Sequence, residues 1–392
     1  MPALPDQPYA GLRVLDLSQG VAGPYCAMLL LDQGAEVIKA ESPTGDWSRA
    51  IGYQTEGMSA LSIAYNLGKR SICVNGQTEA GRDLLRQLAL RADVIIESFR
   101  PGVIERLGLS YAALSKARPD QVYVSVSAFG PDGPYAERPG SDSTLQAMSG
   151  MMVVNRDARG TPRKVGILLI DVATGIYAAQ ATGAALYRRA LRGQGSRVEV
   201  SLLEAAAAVQ SGAIIDEALN AGRSVQALSV PAGTFETEDG HINVTSLHDR
   251  MFAGLCHAIG QNDWLADPRL STATGRYAHC EEINSTLTRI FRAKPTAHWV
   301  ERLNRHGVVC GKVSDYAGFL ADAQVKQQRI FAMSEQGGPC RVPIARLPGT
   351  AAPGSQEKRS PRRGEHTRQI LDELGLDAAR QQELFNAGIV QS

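Results

Sequence analysis

Cysteine is scarce and scattered in this sequence. The 392 residues contain six cysteines and no Cys-x-x-Cys pair. A disulfide framework needs a dense set of cysteines, and a structural zinc site needs closely paired ones. The distribution argues against both, so we expect no metal site and a reducing compartment such as the cytoplasm.

Long apolar runs and an excess of charge are also missing. The longest apolar runs are far shorter than the ~20 residues that a membrane helix needs. The first 20 residues lack the basic and then apolar pattern of a signal peptide. The formal net charge is +1, so no overall field would recruit nucleic acid or an acidic membrane. We therefore expect a cytoplasmic protein without nucleic-acid or membrane partners.

Motifs of two common enzyme classes are absent. The Gly-x-Ser-x-Gly pattern of serine hydrolases does not occur. The turn SQGVAGPYCA carries Gly20 and Gly23 but not the Gly-x-Gly-x-x-Gly pattern of dinucleotide-binding folds. Such a turn can still hold phosphate at a helix N-terminus, or it can only pack the helix closely onto the sheet. Both interpretations stay open.

A regular alternation of strand and helix patterns fills the first half of the chain. Strands are predicted at 12–18, 36–41, 71–75, 93–99 and 121–130, and helices at 20–35, 78–92 and 103–117. Alternation of this kind indicates an α/β fold with a mostly parallel, doubly wound sheet.

Long helical segments follow this alternation, and the character of the sequence changes from about Gly233. Two Ala-rich segments, 171–191 and 201–221, have apolar residues on more than one helical face, which indicates burial against another surface. Farther on, Asp239–Gly240 predicts a hairpin turn. The Gly-, Pro- and Ser-rich basic stretch 349–367 predicts a surface loop.

The chain is longer than one hydrophobic core usually supports, so two domains are expected. We predict a large domain over 1–200 that is completed by 330–392. A linker helix over 201–225 would lead to a smaller α+β domain over 226–325.

One carboxylate is unusual in its surroundings. In KVGILLIDVATGIYAAQ, residues 164–180, Asp171 stands between apolar and small residues. Burying an unpaired ionised carboxylate is costly. Asp171 could cap the helix that follows, mark a wrongly predicted strand, or perform chemistry. As a cap it would have its ionised form favoured by the helix dipole.

Two other short segments are candidates for binding. Lys69 and Arg70 form a basic pair that could bind phosphate, although such pairs are usually exposed to solvent at the protein surface. Phe99 and Arg100 end a predicted strand, where open α/β sheets gather ligands. The alternative for the second segment is a plain turn into a helix that begins near Pro101.

An ordered series of blocks resembles the class III CoA-transferase family, also called the CaiB/BaiF group. The blocks are LDLSQGVAGPYCAMLLLDQGAEVIKAESP, NLGKRSICVN, DVIIESFRPGVIERLGL, SVSAFGPDGPYAERPG, QAMSG, GQGSRVEVSLLEA and HTRQILDELGL. The resemblance covers essentially the whole chain. It implies a large Rossmann-like doubly wound domain, a smaller α+β domain and an interlocked, ring-like homodimer. It also implies transfer of coenzyme A from an acyl-CoA to a small carboxylic acid, without a metal or redox cofactor.

The same resemblance implies roles for individual residues. Asp171 matches the family's catalytic aspartate, which would form a mixed anhydride and then an enzyme–CoA thioester. The positions that match CoA-binding residues are Val21, Ala22, Lys69, Arg70, Ser98, Phe99 and Arg106. The family's arginine after the second strand has no match, since Ser42 and Pro43 stand there.

Two alternative functions stay open. The racemase branch of the family uses an Asp with a His in a Gly-His-Asp triplet, and here the triplet is Gly140-Ser141-Asp142. Because racemisation needs two acid/base groups, Ser141 favours transfer over racemisation. A CoA-binding protein without turnover is the other alternative.

Overall fold

The computed structural model describes residues 7–55, 57–157, 159–220, 229–337, 341–349 and 358–392. The described residues form two compact units. The larger contains the chain up to Ser211 together with the chain from Arg329 onward, and the smaller spans Gly212–Gln328.

The strands are β1 Arg13–Asp16, β2 Glu36–Glu41, β3 Gln54–Thr55, β4 Met58–Ser59, β5 Arg70–Val74, β6 Val94–Glu97, β7 Val122–Ser127, β8 Ser196–Ser201, β9 Ala232–Thr237, β10 Gly240–Thr245, β11 Val309–Lys312, β12 Phe331–Glu335, β13 Arg341–Ala345 and β14 Val390–Gln391.

The α-helices are α1 Ala22–Asp32, α2 Ala60–Ala64, α3 Glu79–Arg91, α4 Val103–Arg106, α5 Tyr111–Leu114, α6 Asp142–Met148, α7 Met151–Val154, α8 Leu169–Arg192, α9 Leu202–Val209, α10 Ser211–Asn220, α11 Asp249–Ile259, α12 Ala273–Ala278, α13 Cys280–Phe291, α14 Thr296–Arg305, α15 Tyr316–Ala321, α16 Ala323–Gln327, α17 Thr367–Glu373 and α18 Ala378–Asn386. Short 3₁₀ turns lie at Trp47–Ala50, Asn262–Leu265 and Pro268–Leu270.

A mostly parallel sheet organises the larger unit. Its order is β14-β5-β2-β1-β6-β7-β8, and β14 alone runs antiparallel to its neighbour. The six parallel strands therefore follow the 3-2-1-4-5-6 order of a doubly wound fold, whose ligands bind where the order reverses. That switch point lies beside β1 and β6, and the prediction of a doubly wound parallel sheet is confirmed.

Alternate side chains of each strand enter two separate cores. Val14, Val37 and Ile96 face α1 and α8 on one side of the sheet. Leu15 and Ile95 face α3 and α17 on the other side. Because both faces are covered, these strands place apolar side chains into a core on each side, as parallel sheets require.

Glycine and capping residues set several element ends. Strand β2 has the predicted bounds, and Thr78 caps α3 by accepting a hydrogen bond from the Gly81 amide. The predicted single helix over 103–117 is wrong, because the chain breaks into α4 and α5 at Gly108, whose φ is +71°. Only glycine adopts that backbone region without strain.

One strand of the sheet was not predicted from the sequence. Strand β8 follows α8 and forms the open edge of the sheet, although its residues alternate in polarity as a strand should. The predicted surface loop over 349–367 is only partly described, and Ser360 within it is fully buried and donates to the Ser62 carbonyl oxygen.

The smaller unit is a three-stranded antiparallel sheet covered by helices. The order is β11-β10-β9, and β9 and β10 form the predicted hairpin. Its two-residue turn is Glu238–Asp239 rather than the predicted Asp239–Gly240, because Gly240 already pairs with Thr237. Phe235, Phe291 and Trp299 are buried in its core. Within the described residues, no helix of either unit combines the length and apolar content needed to cross a bilayer.

Candidate active site

Asp171 lies in the first turn of α8 as its third helical residue, and it is half-buried. The N-cap is Leu168, which offers no capping side chain. The prediction that Asp171 caps this helix is therefore wrong. The alternative that a strand before Asp171 would be wrongly predicted is confirmed, because Leu169 and Ile170 are helical.

Asp142 caps α8 instead, from the neighbouring helix α6. Its carboxylate accepts hydrogen bonds from the amides of Ile170, at 2.7 Å, and Asp171, at 3.2 Å. Asp142 is fully buried, and Gln146 Nε2 donates to its other oxygen at 2.6 Å. Gln146 also accepts from the Val165 amide at 2.9 Å. Two helices and the segment before α8 are thereby joined beside Asp171.

Burial and the charge of Asp142 raise the pKa of Asp171 to about 7. No side chain of the described residues donates a hydrogen bond to the Asp171 carboxyl. Tyr25 and Tyr65 stand close by with ring centroids 5.4 Å apart. Burial raises the pKa of both phenols, and Asp171 adds to the effect at Tyr65. Both phenols are therefore neutral at neutral pH.

Helix α8 crosses the start of α1 one turn after Asp171. A Cβ placed on Gly175 would lie 2.8 Å from the Ala22 carbonyl oxygen. Four helical residues span about 6 Å along the axis. The close crossing therefore places Asp171 about one helical turn from the contact with the Ala22 backbone.

The turn before α1 is held from several sides. The Gly20 amide donates to Asp46 at 3.0 Å, and the Gln19 amide donates to Ser98 Oγ at 3.0 Å. The second bond joins the segments that follow β1 and β6, at the point where the strand order reverses. Lys39 donates to the Ser18 carbonyl oxygen at 2.8 Å. The backbone of this turn is therefore fixed before any ligand binds.

A buried ion cluster lies under the same turn. Asp16 pairs with Lys69 at 2.8 Å, and Lys39 pairs with Asp46 at 3.0 Å, all four side chains being almost fully buried. Burial disfavours the charge of Asp16, but Lys39 and Lys69 together hold its pKa below the usual range. Burial lowers the pKa of Lys69 to about 8.

The ammonium group of Lys69 donates all three of its hydrogen bonds to groups of the protein. Its ammonium donates to Asp16, to the Pro24 carbonyl oxygen at 2.8 Å and to Asn66 Oδ1 at 2.9 Å. No proton is left for a phosphate. Arg70 points elsewhere, to Glu373 at the amino edge of the sheet. There it lines a cavity of about 510 Å³ together with Arg13, Glu36 and Arg91, and Asp171 is not part of that cavity.

The other predicted binding positions lie at the carboxyl edge of the sheet. Val21 and Ala22 are buried at the start of α1. Ser98 and Phe99 follow β6, and the Phe99 amide donates to Glu97 at 2.9 Å. Arg106 is exposed at the end of α4. Their contact with a ligand stays a prediction.

Sequence reasoning missed the residues that support this site. Asp142 was noted only as part of a triplet, and Lys39, Asp46 and Gln146 were not singled out. A polar residue inside an otherwise apolar strand, such as Lys39 in EVIKAE, could have pointed to the ion cluster. The Ser141 hydroxyl caps α6 by accepting from the Thr144 amide.

The arrangement suits covalent chemistry by a carboxylate. Burial and Asp142 raise the pKa of Asp171 to about 7, and Asp171 lies one helical turn from the contact of α8 with the start of α1. A carboxylate of raised basicity is a better nucleophile. Within the described residues, no group of three or more His, Cys, Asp or Glu side chains could hold a metal ion.

Residues 9–367 match the family model described as CoA-transferase family III. The succinate–glutarate CoA-transferase of Agrobacterium fabrum is 32% identical over 391 residues, covering 94% of this chain and 96% of the relative. The succinyl-CoA:glutarate CoA-transferase of Mus musculus is 31% identical over 401 residues, covering 98% of this chain and 91% of the relative. The crystal structure of a CaiB/BaiF family protein from Brucella suis has a TM-score of 0.84 and 31% identity, covering 94% of this chain and 100% of that chain.

Proposed function

The chain belongs to CoA-transferase family III, and on that premise we propose that it transfers coenzyme A from an acyl-CoA donor to a carboxylic acid with Asp171 as the nucleophile. The observation that carries the proposal is the placement of Asp171, half-buried one helical turn from the contact of α8 with α1 and with its pKa raised to about 7.

The reaction uses one carboxylate twice. An Asp171 oxygen attacks the thioester carbonyl and expels CoA thiolate, which leaves a mixed anhydride between Asp171 and the donor acyl group. The thiolate then attacks the Asp171 carbonyl, and the donor acid leaves with the bridging oxygen. The product is an aspartyl-CoA thioester. Two easier steps replace one difficult step.

The second half reverses these steps with the acceptor. The acceptor carboxylate attacks the aspartyl thioester and expels thiolate, and the thiolate attacks the acceptor's carbonyl. Asp171 is released with one oxygen that came from the acceptor. The poorly hydrated surroundings of Asp171 would protect both anhydrides from water.

We propose that CoA lies along the carboxyl edge of the sheet. Val21 and Ala22 would offer backbone groups to the nucleotide, and Ser98, Phe99 and Arg106 would border it. Lys69 and Arg70 are not part of this proposal, because one is committed to the ion cluster and the other lies at the opposite edge of the sheet. No metal or redox cofactor takes part in the steps.

The acceptor class is proposed to be a short dicarboxylate. The relatives from Agrobacterium fabrum and Mus musculus are named for succinate or succinyl-CoA and glutarate. A panel of mono- and dicarboxylates with succinyl-CoA as donor tests this class. Dicarboxylate preference supports it, and efficient transfer only to monocarboxylates contradicts it.

We also propose that the chain forms a homodimer. Helix α10 has no buried residue and exposes Ile214, Ile215 and Leu219. Helix α8 separately exposes Tyr187 and Leu191. Apolar surface on two helices is typical of a face that a second copy covers. Sedimentation velocity should give the mass of two chains, and a monomer over a wide concentration range would contradict the proposal.

Oxygen transfer is the sharpest test of the mechanism. After turnover with an ¹⁸O-labelled acceptor acid, mass spectrometry of the Asp171 peptide should show ¹⁸O in its carboxyl group. With acyl-CoA alone, the same peptide should carry CoA as a thioester. Asp171→Ala should be folded and inactive. Full activity of that variant would exclude the proposed nucleophile.

A further inference from the structure

We propose that Asp142 is a positioning residue for the nucleophile, which fixes the first turn of α8 and sets the charge environment of the Asp171 carboxyl. The inference rests on the proposed function, because it concerns the basicity that Asp171 needs as a nucleophile. None of the steps above uses Asp142.

The hydrogen bonds show how Asp142 controls the position of Asp171. Its carboxylate accepts hydrogen bonds from the Ile170 and Asp171 amides, which have no hydrogen-bond acceptor within α8 because they lie in its first turn. Gln146 holds the carboxylate in place from the next turn of α6 and donates to the Ile167 carbonyl oxygen as well, at 3.2 Å. The backbone of Asp171 is thereby hydrogen-bonded to the carboxylate of Asp142, which is buried and held in place by Gln146.

The same bonds change the electrostatics of the helix start. A free helix N-terminus favours a nearby anion. Here the amides at the start of α8 are occupied by Asp142, so their dipoles act on Asp142 rather than on the carboxyl of Asp171. The sequence-based expectation that the dipole keeps Asp171 ionised is therefore reversed.

Asp142 is the charged group that acts on Asp171 among the described residues. Two groups act on or are affected by the Asp171 carboxyl, Asp142 on α6 and Tyr65 directly after α2, and the ring of Tyr25 on α1 packs against that of Tyr65. The tyrosines are neutral near pH 7, because burial raises their pKa values. Burial and Asp142 together raise the pKa of Asp171 to about 7.

Raised basicity has a consequence for the order of the chemical steps. In the mixed anhydride, the carboxylate with the lower pKa is the better leaving group. Ordinary aliphatic carboxylic acids have pKa values of about 4 to 5, below that of Asp171. Attack by CoA thiolate therefore expels the donor acid and leaves CoA on Asp171. Asp142 thus favours the aspartyl-CoA thioester as the intermediate that accumulates.

Three variants separate charge from structure. Asp142→Asn keeps an oxygen acceptor for the helix amides and removes the charge, whereas Asp142→Glu keeps the charge. Asp377→Asn is the matched control, because Asp377 caps α18 in the same manner by accepting from the Arg380 amide.

The measurements are the pH profile of kcat/KM and a direct titration of the Asp171 carboxyl by infrared difference spectroscopy, with Asp171→Asn assigning the band. In Asp142→Asn we expect both midpoints to fall by about one pH unit, the plateau rate to fall several-fold and the thioester to accumulate less. The KM for acyl-CoA should stay near the wild-type value. Asp142→Glu should return the midpoints toward wild type, and Asp377→Asn should leave them unchanged.

Unchanged midpoints in Asp142→Asn would overturn the inference. The infrared titration needs no turnover, so it reports the coupling of the two carboxyl groups even if Asp171 proves not to be the nucleophile. Loss of activity in Asp171→Ala together with unshifted midpoints would keep the proposed function and exclude the role of Asp142.

Discussion

Gly175 packs directly against the carbonyl oxygen of Ala22, so closely that a Cβ at Gly175 would lie 2.8 Å from that oxygen and 3.0 Å from the Tyr25 ring. The contact joins the helix of the candidate nucleophile to the start of the helix that carries the predicted CoA-binding backbone. Because the nearest atom belongs to the backbone, an added methyl group cannot be accommodated by a side-chain rotation.

Gly175→Ala should therefore separate α8 from α1 and weaken both stability and catalysis. We expect a loss of about 1 to 3 kcal/mol in the free energy of unfolding, with a raised KM for acyl-CoA. The control is Gly183→Ala on the same helix, whose added methyl group meets only the hydroxyl of Tyr9. Equal effects of the two substitutions would argue against a special role for the Gly175 crossing.

Asp171 should make the folded protein less stable as it ionises. Its pKa is raised to about 7 in the folded state and is ordinary in the unfolded state. The folded state then binds more protons between pH 4 and 7, so stability falls as the pH rises through that range and levels off above it. Asp171→Asn should be more stable than the wild type by on the order of 2 kcal/mol at pH 8, with a smaller gain at pH 5. Urea unfolding at both pH values measures the difference, and a pH-independent gain would contradict it.

Lys69 and Arg70 are adjacent in sequence, but their removal should have very different effects. Lys69→Met leaves Asp16 buried with a weaker partner and frees the Pro24 carbonyl oxygen, so a loss of about 3 to 5 kcal/mol in unfolding free energy is expected, with a raised KM for acyl-CoA. Arg70→Met removes a partly exposed pair with Glu373, which is worth only about 0 to 1 kcal/mol. Thermal unfolding and steady-state kinetics of both variants test this prediction. It would be contradicted if Lys69→Met changed neither the unfolding free energy nor the KM for acyl-CoA.

Ser98 should affect ligand binding through the backbone that it holds. Ser98→Ala removes the acceptor for the Gln19 amide, at a cost of about 1 kcal/mol in stability, and should raise the KM for acyl-CoA. Ser127→Ala is the control, since Ser127 at the end of β7 also accepts from a backbone amide, that of Gly130, but does not contact the turn before α1. The two variants should lose similar stability, and only Ser98→Ala should change the KM. A raised KM for acyl-CoA in both variants would show that the effect of Ser98→Ala does not depend on the turn before α1.

Local sequence patterns predicted the elements whose ends depend on near neighbours. Strand β2 has the predicted bounds, and β9 and β10 form the predicted hairpin, with its turn one residue earlier than predicted, at Glu238–Asp239. The helix over 103–117 was predicted too long, because its apolar spacing continues past Gly108 while its backbone does not. Strand β8 was missed because its alternating residues were interpreted only as a passage between domains.

The family resemblance drawn from ordered sequence blocks is confirmed by the family match and the relatives. That resemblance identified Asp171 as the candidate nucleophile. It did not indicate which groups surround that carboxyl, because Asp142 is 29 positions away in the chain and joins it only when α6 packs beside α8.

The order of residues along the chain was enough for the alternation of strands and helices, the sheet class and the family, because each depends on short-range periodicity and on motifs read in order. Tertiary packing decided that Asp142 rather than Asp171 caps α8, that Lys69 is held inside while Arg70 faces the opposite edge, and that the pKa of Asp171 is raised rather than lowered. Those properties depend on burial and on distances between charges that are remote in sequence. Periodicity carries no information about such distances.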